Sequence, residues 1–316
     1  MSRAQQIKAL EKAFRVAERL PFVTGVDFGM AKKGGRSIRR LAIRFYVEEK
    51  LAIEALDPRY ILPRSIDGIR CDVIKAKFVL HSVPNHYSDY LQPGLSIGNA
   101  VRGTTGSVGP CVVDNVTGRI GFVSCWHVMC GGLNAAKHEE ILQPGFQHQT
   151  YLVPRVSAFL ERYTSLGDGY DAALALLSDD SQFDTMPWGL SSPVVGVERP
   201  KRNMQVYKVG AGTGFTEGYI SSEINGEFDM NLSHYGAGGR RYKGFVVSLN
   251  NGSEYKEVSS GGDSGALWIN AATGKAVGLN FGGVDGVTQS AEYALSHQLI
   301  DVLSRLNVSL YFGDLK

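Results

Sequence analysis

Ser264 stands in the run "SSGGDSGALW", residues 259 to 268, with glycines on both sides and an apolar stretch directly after it. Gly-Asp-Ser-Gly is turn chemistry, because glycine tolerates positive φ and Asp and Ser bond their own backbone. It is also a setting in which a serine becomes a nucleophile. A serine hydroxyl is inert at neutral pH unless a base takes its proton. The turn must also aim backbone N–H groups at the oxyanion that forms, and a neighbouring glycine lets the backbone come that close. The chemistry therefore requires a base and an orienting acid elsewhere in the chain. Among the 7 histidines, His127 alone follows a strongly apolar strand, at the end of "GFVSCWHV". His81 and His86 fall in a linker, His138, His148 and His234 in polar stretches, and His297 on a terminal helix. These six read as solvated surface residues. Asp171 opens "DAALALL", a charge set immediately ahead of a buried strand, whereas Asp168 is separated from that run by Gly169 and Tyr170. The alternative for each residue is structural: a turn serine, a satisfied core histidine, a strand-end acid. Taken together they are the residue types that acyl transfer through an activated serine would require.

The elements that must position them are mostly strands. Many glycines between short apolar runs favour a β-rich fold with many turns, and a chain of 316 residues suggests about two domains. The first part reads as a small α+β domain over residues 1–90. An amphipathic helix, "MSRAQQIKALEKAFRVAERL", carries Ile7, Leu10, Phe14, Val16, Ala17 and Leu20. Strands follow at "PFVTGVDFGM", "RRLAIRFYVEE" and "IRCDVIKAKFVL". A Pro-, Ser-, His- and Tyr-rich linker runs to about residue 95. Residues 91–316 form the second domain, almost all β until "LSHQLIDVLSRLNVSL", where Leu295, Leu299, Ile300, Leu303 and Leu306 fall at helical spacing.

Composition excludes several classes. A net charge of +2 gives no reason to expect nucleic acid or an acidic membrane as partner. No apolar run is long enough to span a membrane. The first residues read as a helix rather than an export signal. A cytoplasmic location follows, with Cys71, Cys111, Cys125 and Cys130 as free thiols in a reducing compartment. Cys125, His127 and Cys130 lie close together in sequence, but a fourth ligand is missing and their offsets do not face one ion, so no metal is expected. No cofactor is expected either.

The order histidine, aspartate, serine, with "SCWHV" ending one strand, "DAALA" starting another and "GGDSG" in a turn, resembles the chymotrypsin-like serine proteases. A nearer resemblance is to bacterial trypsin-like proteins related to the plant narrow-leaf protein. Its pieces are "VTGVDFG", "QPGLSIGNA", "TTGSVG", "ILQPG", "YDAALALL", "KVGAGTGFTEG", "GGDSGAL" and "AVGLNFGG", spread over most of the chain. The resemblance implies two six-stranded antiparallel barrels with a C-terminal helix, and a serine endopeptidase site in the crevice between the barrels, with a polypeptide as substrate. His127 and Asp171 would come from the first barrel and Ser264 from the second. The N–H groups of Gly262 and Ser264 would form the oxyanion hole. Asn280, Phe281 and Gly282 match the family's edge strand, which pairs with the substrate backbone. Val258, six residues before Ser264, matches the floor of the primary pocket, with Gly282 on the facing wall. An apolar floor implies an uncharged substrate side chain; Glu257 or Asp285 in that place would reverse the choice.

In secreted relatives a newly cut N-terminus pairs with the acid before the serine, here Asp263. No basic cleavage site precedes the barrel in this chain. Asp263 is therefore expected to find an internal donor, or the loop to stay unformed until a partner binds. Cys111 and Cys130 are offset from the family's disulfide and are expected as thiols. The first domain is expected to serve assembly, substrate delivery or regulation, through a second copy or a regulatory partner. Two other readings stay open: a catalytically silent interaction module on the same fold, and a self-processing switch or esterase.

Overall fold

Ser2 starts the first helix, α1 (Arg3–Ala17), with a capping box: its Oγ accepts the Gln5 N–H, and Gln5 Oε1 accepts the Ser2 N–H. The computed structural model describes residues 2–33, 36–47, 49–50, 56–75, 84–149, 154–222, 226–250, 253, 255–284 and 292–313. They fall into two compact units, Met1–His81 and Ser82–Lys316. In the first, α1 buries Ala9 and Ala13, while Ile7 and Phe14, which head the apolar stripe in the sequence, are about half exposed. Two alanines one turn apart let the helix lie close on a sheet. That sheet has the order β1-β2-β4-β3, from β1 (Val23–Lys33), β2 (Arg36–Val47), β3 (Ser65–Ile66) and β4 (Ile69–Lys75). Ile43, Phe45, Ile66 and Ile69 receive the alanines. The predicted continuation of β4 lies outside the described residues from residue 76 on.

The second unit begins earlier than the predicted 91. Leu91 and Leu95, read as linker, are buried in the core of the barrel that follows. In addition β5 (Tyr90–Leu91) pairs with β13 (Gln182–Phe183). The barrel itself is built from β6 (Ser96–Asn99), β7 (Gly106–Ser107), β8 (Cys111–Asp114), β9 (Ile120–Ser124), β10 (Glu140–Gln143), β11 (Arg155–Tyr163) and β12 (Ala173–Leu177). β7 pairs with β6, and after Val108–Pro110 the same stretch continues as β8 and pairs with β9. Taken as one strand, β7–β8 closes the series β6, β10, β11, β12, β9 into a ring of six. Phe122, Trp126 and Ile141 fill it, all essentially inaccessible.

A second ring follows: β14 (Gln205–Gly210), β15 (Gly214–Ile220), β17 (Gly239–Ser248), β18 (Leu267–Asn270), β19 (Ala276–Val284) and β20 (Tyr293–Gln298). The pairing of β15 with β17 closes it, and β16 (Gly226–Asn231) extends β17 as a hairpin outside the ring. Trp268, Phe245 and Val258 pack inside. The terminal helix, α3 (Leu299–Leu306), starts later than its apolar spacing predicts. Ala294 to Ser296 and His297 are buried on successive positions, which is the signature of a strand covered on both faces rather than of a helix stripe. After α3 the chain returns to the first ring as β21 (Val308–Leu310), antiparallel to β8.

Candidate active site

A four-residue helix, α2 (Trp126–Met129), follows β9 and carries His127. Trp126 O accepts the Cys130 N–H, but so short a helix leaves its later carbonyls without helical partners. Asn99 Nδ2 donates to Met129 O at 2.8 Å and Thr104 Oγ1 donates to Val128 O, so the turn is held from the β6 side. Asp171 lies just ahead of β12. Both of its carboxylate oxygens go to His127: Oδ1 accepts the backbone N–H at 3.0 Å, and Oδ2 accepts Nδ1–H at 2.5 Å. Asp171 is buried, whereas Asp168 is exposed. Burial pushes the Asp171 carboxyl up, but the charge and hydrogen bond of His127 outweigh it and hold the group below the ordinary carboxylate range. With Nδ1 engaged, His127 Nε2 is left free to act on a proton.

The serine turn leads into β18. Gly262 and Gly265 adopt φ of +97° and +95°, a region costly for a side chain. A Cβ at Gly265 would also stand 2.1 Å from Ser124 Oγ and 2.3 Å from Ser107 O. Ser107, on the first barrel, fixes the turn: its N–H donates to Ser264 O at 2.7 Å and its Oγ to Gly262 O at 2.7 Å. Among the described residues the N–H groups of Gly262 and Ser264 have no partner, while those of Asp263, Gly265 and Ala266 are all bonded. Two short links bring the turn to the His127 helix. Cys125 Sγ and the Gly265 N–H donate to one carbonyl, Asn280 O. Gly106 has both Val128 and Ser264 O against it, and a Cβ there would meet each within 3 Å. Among the described residues the His127 ring bonds Asp171 alone, and Ser264 Oγ is not joined to it.

Asp263 finds an internal donor. Lys208 Nζ, on β14, lies 2.9 Å from Asp263 Oδ2, with both side chains at 0% exposure. The carboxylate also accepts the N–H groups of Gly212, Thr213 and Ser260 and the Thr213 hydroxyl. Burial opposes its ionisation, but Lys208 and these donors prevail, and its pKa is lowered. The loop is thus assembled within the uncut chain.

Other predicted residues are placed as follows. Asn280 spends all its polar groups internally: Nδ2 donates to Ser259 Oγ and Asp263 O, Oδ1 accepts Trp268 Nε1, and its N–H donates to Ala266 O. It buttresses the serine turn. Beyond Leu279, β19 leaves β18, and Phe281 to Val284 run beside β20 alone among the described residues. Val258 packs in the second barrel's core and Glu257 is exposed; Asp285 lies outside the described residues. All four cysteines are free. Cys130 does not join Cys125 and His127, whose partner is Asp171, the three ligand atoms lying within 4.8 Å. The Nδ1 of His127 and the Oδ2 of Asp171 are spent on each other, and burial pushes the Cys125 thiol well up, so these groups do not offer a ligand set.

Two histidines read as surface residues are not. His148 is half-buried, with Nδ1 2.8 Å from Ser96 Oγ, and His297 is fully buried beside Asp171. Sequence reasoning also missed Tyr235, whose ring packs 5.5 Å from that of His127. It sits in a polar cleft with Arg102, Thr105 and Gln147. A single tyrosine in "LSHYGAGG" carries no signal that would have found it.

No family model matches the sequence, and no curated protein matches it. Solved structures do. A Nocardiopsis protease (NAPase) has a TM-score of 0.50 at 19% identity, over 70% of this chain and 98% of that one. Thermobifida fusca protease A (TFPA) has a TM-score of 0.51 at 18% identity, over 71% of this chain and 100% of that one. Cellulomonas bogoriensis chymotrypsin has a TM-score of 0.50 at 16% identity, over 71% and 99%. At these identities the likeness establishes the fold: two curled β-sheets and a C-terminal helix in the chymotrypsin-like protease arrangement.

Proposed function

We propose that this chain is a trypsin-like serine endopeptidase, akin to the bacterial proteins related to the plant narrow-leaf protein. The observation that carries the reading is the pair of hydrogen bonds that Asp171 accepts from His127, beside a serine turn whose Gly262 and Ser264 N–H groups are unspent among the described residues. Asp171 fixes the imidazole tautomer. His127 Nε2 takes the Ser264 proton as Oγ attacks the substrate carbonyl, and then returns it to the leaving amine. Gly262 and Ser264 donate to the oxyanion, each worth about 3 kcal/mol. Water repeats the sequence on the acyl-enzyme. The open edge from Phe281 to Val284 supports binding of an extended peptide by strand addition. Four unpaired thiols support a reducing compartment such as the cytoplasm. For the N-terminal unit, which holds none of His127, Asp171, Gly262 and Ser264, the role proposed is assembly, delivery or regulation.

A fluorophosphonate probe tests the reading. Oγ of an activated serine displaces fluoride and forms a covalent adduct. Intact mass should show one adduct on the full-length chain, mapped to Ser264, because Lys208 makes a cleaved N-terminus unnecessary. An adduct found only on a truncated species would refute the uncut form, and no adduct at all would refute the protease. The second outcome would favour a silent or self-processing module, for which the unjoined Ser264 Oγ and His127 ring are the supporting observation.

The buried Val258, with Glu257 turned to solvent, supports an apolar primary pocket. In a diverse peptide mixture, cleavage after Leu, Met or Phe should exceed cleavage after Arg or Lys by about tenfold or more, since an apolar floor leaves a buried cation unpaired. The reverse order would remove Val258 from that role.

A further inference from the structure

His297 lies where no solvent reaches it and where the reaction proposed above makes no direct use of it. Its Nδ1 is 2.6 Å from Lys243 O. A carbonyl only accepts, so Nδ1 carries the proton and Nε2 presents its lone pair. That lone pair receives the backbone N–H of Asp171 at 2.9 Å. The ring is clamped: Phe281 stacks on it at 4.0 Å, Tyr170 is 5.1 Å away, and the edge of Tyr242 meets it at 5.8 Å. Lys243 reaches across as well, its N–H donating to Gly169 O at 2.8 Å. On the other side the Thr164 N–H donates to Ala172 O at 2.9 Å, and the Ala172 N–H donates to Thr164 Oγ1 at 3.2 Å. The peptide units that carry Asp171 are therefore fixed from two directions, and one of those directions is the second barrel.

We infer that His297 is a positioning residue for Asp171. It refers the main chain of the acid to the barrel that supplies Ser264, so that the His127–Asp171 pair and the nucleophile keep one register. The inference rests on the protease reading of the site. A buried neutral histidine suits the task. Burial drives its pKa down to about 4 against the pull of Asp171, so its acceptor nitrogen stays bare at neutral pH. A merely space-filling ring would not need the donor and acceptor that this one spends on two backbone groups.

Two substitutions separate the roles. His297→Phe keeps the stacked ring and loses both hydrogen bonds. His297→Gln loses the ring and can accept from Asp171 and donate to Lys243. The readouts are the labelling rate with a fluorophosphonate, kcat and KM on a cleaved peptide, the unfolding midpoint, and the low-field proton resonance of the His127 Nδ1–H. The phenylalanine form should label about a hundredfold more slowly, with kcat reduced alike and KM within about twofold, because a small misplacement of a catalytic group costs about that much. Its low-field resonance should shift or vanish. The glutamine form should stay within about threefold of wild type and keep the resonance. If the phenylalanine form does not fold, His297→Met fills the space without either bond and takes its place. Wild-type labelling with an unmoved resonance in the phenylalanine form would overturn the inference, as would equal losses in both forms that track their unfolding midpoints. A wild-type protein that never labels overturns the protease reading instead, and the resonance alone then decides whether His297 positions Asp171.

Discussion

Ser264→Ala should lower peptide turnover about a millionfold and leave the unfolding midpoint unchanged. The second half of that expectation is as specific as the first. Ser264 is held through its backbone carbonyl, by Ser107, and its hydroxyl makes no hydrogen bond among the described residues. Removing Oγ therefore removes chemistry and no structure. His127→Ala should cost nearly as much, and the double substitution no more than either alone, because members of a triad act as a unit. The measurement is single-turnover kinetics beside a denaturation curve for each variant. Losses that multiplied in the double variant would mean that the two residues act separately, and undiminished labelling of the alanine form would remove Ser264 from the mechanism.

Lys208→Met should destabilise the protein by about 3–5 kcal/mol, the range for breaking a buried ion pair on one side. The aliphatic stem survives as methionine, but Asp263 is left with a buried charge and no cation. The serine turn should loosen with it, so labelling should fall along with stability. Adding Asp263→Asn should recover part of the loss, because the uncompensated charge is then gone. The pH dependence has a definite sign. The folded pKa of Asp263 is depressed, so its contribution is present above the unfolded carboxylate value of about 3.9 and fades as pH falls through the lower folded value. Lys208→Met should accordingly raise the midpoint of acid unfolding. Urea denaturation at pH 7 and an acid titration measure both effects; a loss under about 1 kcal/mol with wild-type labelling would show that the pair does not hold the turn.

The motifs were legible because each joins a polar residue to an abrupt local change. "SCWHV" and "DAALALL" set a titratable group at the boundary of an apolar run, and "GGDSG" crowds glycine where the backbone must turn. Tertiary context decided the rest. Lys208 sits in "QVYKVG" like any solvent-facing lysine of an alternating strand, and only the loop folding over it reveals an interior cation. His297 lies between Leu295 and Leu299, whose spacing suits a helix, and its burial depends on the packing of the strand on both faces. The shift of the unit boundary has the same origin. A stretch rich in Pro, Ser and Tyr reads as linker until Leu91 and Leu95 are seen to enter a core. In α1 the residues that pack are the small ones, Ala9 and Ala13, so the largest apolar side chains misdirect any reading of the buried face.

The return of β21 to the first barrel ties the joining of the two rings to the timing of synthesis. Val308 pairs with Asp114 and Leu310 with Val112, and Ser309 Oγ donates to Asn115 across 194 positions of sequence. Arg162 fastens the same crossing by bonding Leu306 O and Asp114. A ribosome that has delivered the serine turn has still not delivered the strand that lies along β8. Contacts this distant in sequence form late, since the intervening chain must first be ordered. The nascent chain thus presents the serine turn while β8 still lacks its outer neighbour, and the crossing from the second ring back to the first closes only after residues 308–310 have emerged.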